Sequence, residues 1–263
     1  MLIKTTCRLL LDYDFPTPII TMLRPLSGAS QWVEEESYRF SETTSVSQYS
    51  DPYGNLCQKL IIPAGGFLIQ TSQVVETAAA MDEGWGQPFV PITDLPDDVL
   101  QYLQPSRYCE SDRFGQRAIQ IAGINSPSYD QVVNIVRWIR ENVSYAPGTS
   151  AAPASASEIV LSGRGVCKDL AHLGVAMARS ISIPARYVYG YLLGLTPMDL
   201  HAWFEIYVGG RWYVFDPTQS TMAGARVAIA YGRDAADVSV YHQFGPPANH
   251  TEMEVSVTEI TRE

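Results

Sequence analysis

Apolar and polar positions keep different periods in different parts of the chain, and the changes mark out the elements. Residues 38–49 are rich in Ser and Thr with alternating apolar positions, as a half-buried strand requires. Asp51-Pro52-Tyr53-Gly54-Asn55 is a strong turn signal, and residues 56–62 and 67–77 read as further strands with Gly65-Gly66 between them. Short strands separated by turns predict an antiparallel sandwich or meander. The pattern changes near residue 90. Residues 95–104, bracketed by Pro91, Pro96 and Pro105, predict a short helix. Val132, Ile135, Val136, Ile139 and Val143 then recur at helical spacing, with Ser128 as N-cap and Gln131 as its capping-box partner. Residues 146–157 read as a loop. Ser155 and Glu158 offer a second capping box for a segment ending at Gly163. Next comes a helix opened by Cys167, with Leu170, Leu173, Met177 and Ile181 as its buried stripe. Gly174 near that face permits close approach to another element, and Pro184 stops the helix. From Ala185 the chain returns to β: residues 186–193, then 201–208 and 211–216 joined by a Gly209-Gly210 turn. After Thr218 the pattern is irregular until a closing strand at 253–260. The fold class is therefore α+β. An N-terminal antiparallel β-sandwich-like domain over 1–90 precedes a second domain over 91–263, and the final strand is free to return to a sheet.

With 263 residues, 46% hydrophobic and 17% charged, the chain can bury a sizeable core. A net charge of −10 argues against a nucleic-acid or anionic-membrane partner. Charges interrupt the apolar run over residues 1–12, so it is no secretory signal, and no stretch approaches the roughly 20 apolar residues of a membrane helix. The expectation is a soluble, cytoplasmic protein. Cys7, Cys57, Cys109 and Cys167 are widely spaced and predict neither a metal site nor a disulfide framework. No run of oxygen ligands resembles an EF-hand, so neither metal nor cofactor is expected.

Cys167 carries the candidate chemistry. A helix N-terminus favours the thiolate, which is the reactive species. His201 and Asp216 follow in the order in which an imidazole could take the thiol proton and a carboxylate could orient that imidazole. The hairpin gives this a geometric test. A two-residue turn at Gly209-Gly210 pairs Val208 with Arg211, which puts Trp203 opposite Asp216 and His201 opposite Thr218. His201 and Asp216 are then diagonal neighbours on one face, roughly 7–8 Å apart at Cα. A one-residue slip would separate them. The other face carries Ala202, Phe204, Ile206, Tyr213 and Phe215, apolar as a core face should be. Each residue has a plainer role available: a buried structural cysteine, a satisfied strand histidine beside Trp203, and Asp-Pro turn chemistry. His172 is a poorer base, because five helical residues place it about 140° round the helix from Cys167. Asp169 suits support of the helix start. Trp203, Tyr207 and Trp212 share the His201 face, where core packing is a stronger reading than an acyl-binding groove.

At Gly165-Val166-Cys167-Lys168-Asp169, His201-Ala202-Trp203-Phe204-Glu205 and Phe215-Asp216-Pro217-Thr218 the chain resembles the transglutaminase-like superfamily, within the wider papain-like cysteine fold. Leu95-Pro96-Asp97-Asp98, Pro105-Ser106-Arg107, Tyr145-Ala146-Pro147-Gly148 and the Gly232–Asp237 segment are similar to bacterial members, as is the β-rich N-terminal part. The resemblance implies a nucleophile helix packed on an antiparallel sheet. It also implies a Cys-His-Asp triad, with Cys167 as nucleophile, His201 as base and acid, and Asp216 as orienter. Acyl transfer would pass through a thioester on a peptide or protein substrate, with water completing hydrolysis or an amine completing cross-linking. Hydrolysis of a peptide or isopeptide amide is the leading expectation. Protein–glutamine transfer and a non-catalytic binding module are the alternatives. The Cys167 backbone N–H is the natural first oxyanion donor. For the second, the spacing selects neither Tyr145 nor Trp138.

Overall fold

The computed structural model describes residues 1–147, 153–221 and 224–262. Gly148 of the quoted Tyr145–Gly148 motif, and part of the predicted 146–157 loop, lie outside these residues. The chain opens with strands β1 (Leu2–Tyr13), β2 (Thr17–Arg24), β3 (Gln31–Phe40), β4 (Ser47–Ser50), β5 (Leu56–Ile62) and β6 (Gly65–Thr77). Helices α1 (Asp97–Leu100), α2 (Gly115–Ala122) and α3 (Ser128–Asn142) follow, then β7 (Ser144–Tyr145), α4 (Ala156–Ser162), β8 (Arg164–Gly165) and α5 (Cys167–Ser180). Strands β9 (Ala185–Leu192), β10 (His201–Val208), β11 (Arg211–Phe215), β12 (Arg226–Gly232), β13 (Tyr241–Gln243) and β14 (His250–Ile260) complete it.

Two four-stranded sheets, ordered β14-β1-β6-β3 and β13-β2-β5-β4, form the β-rich part. Their inward rows follow the period of two that a pleated strand imposes: Ile3, Cys7, Leu9 and Leu11 from β1, Ile19 and Leu23 from β2, and Leu60 and Ile62 from β5 are buried in one core. The last two strands return here, with β14 antiparallel to β1 and β13 antiparallel to β2.

A third antiparallel sheet, ordered β11-β10-β9-β12, carries α5. This helix is buried from Asp169 to Arg179. It lies close on β10 because position 174 has no side chain: a Cβ there would meet the Phe204 ring at 2.4 Å. Phe204, Ile206, Tyr213 and Phe215 join Leu170, Leu173 and Met177 in a helical core shared with α2, α3 and α4. Tyr187, Tyr189 and Tyr191 of β9, with Val227 and Ile229 of β12, instead join the core of the N-terminal sheets.

Two side-chain amides fasten those sheets to β12. Gln31 Nε2 donates to the Ala228 carbonyl at 2.8 Å and its Oε1 accepts from the Ala228 N–H at 2.8 Å. Asn55 does the same for Tyr231, at 2.7 and 2.8 Å. An edge strand thus has main-chain groups matched by side chains rather than by another strand.

Several local expectations are corrected. Gly65 and Gly66 already belong to β6, so the turn falls at Pro63-Ala64. Residues 38–49 are not one strand but the end of β3 and part of β4. Ser128 is the first residue of α3 and not its cap, and Gln131 donates to the Gly123 carbonyl instead. The Ser155–Glu158 capping box is formed, and α4 ends on Gly163 with positive φ. Strands β1, β2 and β12 and helix α2 are absent from the predicted set. In α2 the buried positions are the small Ala118 and Ala122 while Ile119 is exposed, which hides its apolar stripe. No helix among the described residues is long and apolar enough to cross a membrane.

Candidate active site

Asp169 shapes the start of α5 from within. Its Oδ2 accepts from the Val166 N–H and its Oδ1 from the Ala154 N–H, both at 3.0 Å. One carboxylate therefore caps the helix and holds the incoming chain beside Cys167. As the first residue of α5, Cys167 has a backbone N–H with no intrahelical acceptor. Its side chain is half-buried, whereas Cys7, Cys57 and Cys109 are buried, and all four are free. Burial pushes the Cys109 thiol above its usual range and the Cys7 thiol up to about 12, the latter with a contribution from Asp199.

The β10–β11 hairpin has the predicted register. Val208 pairs with Arg211 and Phe204 with Phe215, and Gly209 and Gly210 take the positive φ of a two-residue turn. Asp216 lies one residue beyond β11, and its Oδ2 accepts from His201 Nε2 at 2.8 Å. Both side chains are 1% exposed. Oδ1 accepts from the Thr218 N–H at 3.0 Å and from its hydroxyl at 2.7 Å. Because Asp216 engages Nε2, Nδ1 is the nitrogen left for the thiol. It is buried and has no hydrogen-bond partner among the described residues, and Cys167 is close enough to the ring to help raise its pKa. Burial alone would lower the imidazole pKa, but hydrogen bonds and charge from Asp216 and Cys167 outweigh it and raise it to about 9. Burial opposes ionisation of Asp216 too. The bonds and charges of His201 and Arg226, with the Thr218 hydroxyl, hold its carboxyl well below the usual range.

Two arginines missed in the sequence hold Asp216, one by its carboxylate and one by its main chain. Arg226 on β12 donates from Nη2 to Asp216 Oδ2 at 2.9 Å. Arg140 on α3 donates to the carbonyls of Asp216 at 2.8 Å and Pro217 at 3.2 Å, and to that of Gln219. Thr218 stood in a quoted motif, but no local pattern marks either arginine, since each reaches the site only through tertiary packing.

The remaining candidates separate clearly. His172 is wholly buried and stacked on Tyr108 at 5.1 Å. Nε2 accepts from the Ala235 N–H at 3.1 Å, so Nδ1 donates to the Ala154 carbonyl at 3.0 Å. Burial lowers its pKa, and it serves structure rather than the thiol. Trp203 is 1% exposed and packs with Val188 and Ala228. Trp212 has the Arg186 guanidinium over its ring and meets Tyr102 and Tyr207 edge-on. Trp203 is therefore core, while Trp212 is half-buried among these neighbours. Of the two candidates for a second donor, Trp138 packs on the helical core. Tyr145 is half-exposed, pairs with Gly165, and feels the charges of Cys167 and Asp216, which with burial raise its pKa. No cluster of three or more metal-ligating side chains occurs among the described residues.

The family profile described as the transglutaminase-like superfamily matches residues 115–217, which include Cys167, His201 and Asp216. An uncharacterised protein of Mycobacterium leprae is 31% identical over 257 residues, covering 91% of this chain and 90% of that one. One from Mycobacterium tuberculosis is 29% identical over 127 residues, 43% of this chain and 40% of that one. Among solved structures, "a Putative Cysteine Protease from Cytophaga hutchinsonii" superposes with a TM-score of 0.87 at 32% identity, covering 100% of this chain and 92% of that one. The family profile, the motifs, the helix-on-sheet core and the near-full-length likenesses to the M. leprae and C. hutchinsonii proteins agree: the chain belongs to the transglutaminase-like superfamily.

Proposed function

We propose that the protein is a cysteine hydrolase that cleaves peptide or isopeptide amides through a thioester on Cys167. The observation that carries this reading is the buried His201–Asp216 pair with its second ring nitrogen left to a thiol at a helix N-terminus. His201 Nδ1 takes the Cys167 proton, and the thiolate attacks the amide carbonyl carbon. The oxygen that becomes negative is met by the Cys167 N–H, with the helix dipole behind it. The imidazolium then gives its proton to the leaving nitrogen as the C–N bond breaks. In the second half, Nδ1 takes a proton from water, hydroxide adds to the thioester, and the carboxylic acid leaves as the thiolate re-forms. Asp216 holds the ring and stabilises its cation without taking a proton.

The Cys167 side chain is partly exposed and Tyr145 beside it is 47% exposed, so water can reach the acyl group. The neighbouring C. hutchinsonii structure, named "a Putative Cysteine Protease", supports this reading. The test is incubation with a proteome-derived peptide library plus a labelled primary amine, read by mass spectrometry. Cleaved peptides without amine incorporation, lost in Cys167→Ala, support hydrolysis. Amine incorporation as the main product would make it a transferase. Equal cleavage by Cys167→Ala would contradict Cys167 as the nucleophile, and no product from either protein would favour a binding module.

A further inference from the structure

Asp216 Oδ2 accepts from two cationic groups at once, His201 Nε2 at 2.8 Å and Arg226 Nη2 at 2.9 Å. The Arg226 side chain is 5% exposed. It arrives from β12, which pairs with the far side of β9 from β10, its Nη1 donates to the Gly224 carbonyl at 2.9 Å, and it lies over the Trp203 ring at 6.0 Å. Three ionisable side chains are therefore buried in one row. Buried charges persist only where they balance.

That balance decides how many protons the Cys167–His201 pair holds. With Arg226 offsetting Asp216, the neutral set contains one proton on the pair. It is either thiol with neutral imidazole or thiolate with imidazolium, and moving between the two changes no net charge. Without Arg226, the neutral set contains two protons: the imidazolium is committed to Asp216, and the thiol faces no base.

On the Cys-His-Asp reading above, we infer that Arg226 is a charge-balancing positioning residue that keeps one proton on the Cys167–His201 pair near neutral pH. Nucleophile and base are then present together. The other groups that face this row do not replace it. Cys167 comes from α5, Tyr145 from β7, and Asp199 from the loop before β10; Tyr145 responds to the charges of Cys167, Asp216 and Asp199. Arg140 is cationic and near Asp216, but its guanidinium bonds main-chain carbonyls and not the carboxylate.

The experiment is the initial rate of Cys167 alkylation by iodoacetamide against pH, resolved by peptide mass spectrometry on the full chain. It compares wild type with Arg226→Gln, Arg226→Lys and His201→Ala. Gln keeps a hydrogen-bond donor and loses the charge, so the half-maximal pH should rise by about one unit, and the rate at neutral pH should fall about tenfold. Lys keeps the charge and should follow wild type. Arg226→Met makes the same charge change should the Gln variant not fold. A Gln profile with a lower plateau and an unmoved midpoint, or a Lys variant shifted as far as Gln, would overturn the inference while leaving the triad in place. A wild type with no His201-dependent advantage would remove the triad reading and this one together.

Discussion

His201 and Asp216 sit on the two arms of one hairpin, offset diagonally, and Nε2 donates to Oδ2 across 2.8 Å with both side chains shut off from water. The turn at Gly209-Gly210 sets this distance, since one residue more or less in the loop would put the two side chains on opposite faces.

The pair's contribution to stability has a predictable pH window. His201 is raised from 6.5 to about 9 in the folded chain, so its share is fully present below about pH 6.5 and is lost as pH rises through about 9. Asp216 is depressed, so its share is present above its ordinary value of 3.8 and is lost as pH falls below that. The stability gap between wild type and His201→Ala, from urea melts, should be widest between about pH 4 and 6.5 and should narrow by pH 10. A gap independent of pH would contradict the pairing.

Asp216→Ala leaves His201 and Arg226 buried without their anion. The expected loss is about 3–5 kcal/mol at neutral pH, measured by chemical denaturation. A loss below about 1 kcal/mol would mean that the row is more solvated than the structure shows.

Gly174→Ala tests the contact between α5 and the sheet. Alanine favours a helix by about 1 kcal/mol, but its Cβ would fall 2.4 Å from Phe204. Overpacking should outweigh propensity, with net destabilisation of about 1–3 kcal/mol. Net stabilisation in a denaturant melt would show that Phe204 yields freely.

Gln31→Leu removes both partners of the Ala228 main chain. Leaving buried backbone groups unmatched should cost about 1–3 kcal/mol and speed hydrogen exchange at the Ala228 amide. Unchanged exchange there would show that the clamp does not hold β12.

The hairpin and the nucleophile helix were legible because their signals are local: two glycines fix a register, and Cys167, Asp169 and Gly174 lie on one helix. The diagonal placement of His201 and Asp216 followed from that register alone. β12 was illegible because both its faces are buried, so Arg226-Val227-Ala228-Ile229-Ala230 shows no alternation of polar and apolar positions. With it went Arg226, whose partner is ten residues away in sequence and lies just past the end of β11. Ser128 has the chemistry of a cap, but Pro127 before it, with an extended ψ of 152°, takes the cap position, so the helix begins one residue earlier than the motif suggests.

The most direct measurement is site-resolved iodoacetamide labelling of all four cysteines across pH in wild type and His201→Ala. A working triad requires Cys167 to alkylate at least about tenfold faster than Cys7, Cys57 and Cys109 at neutral pH, and to lose most of that advantage without His201. Equal labelling of Cys167 in the two proteins would contradict a thiol activated by His201, and with it the proposed hydrolase.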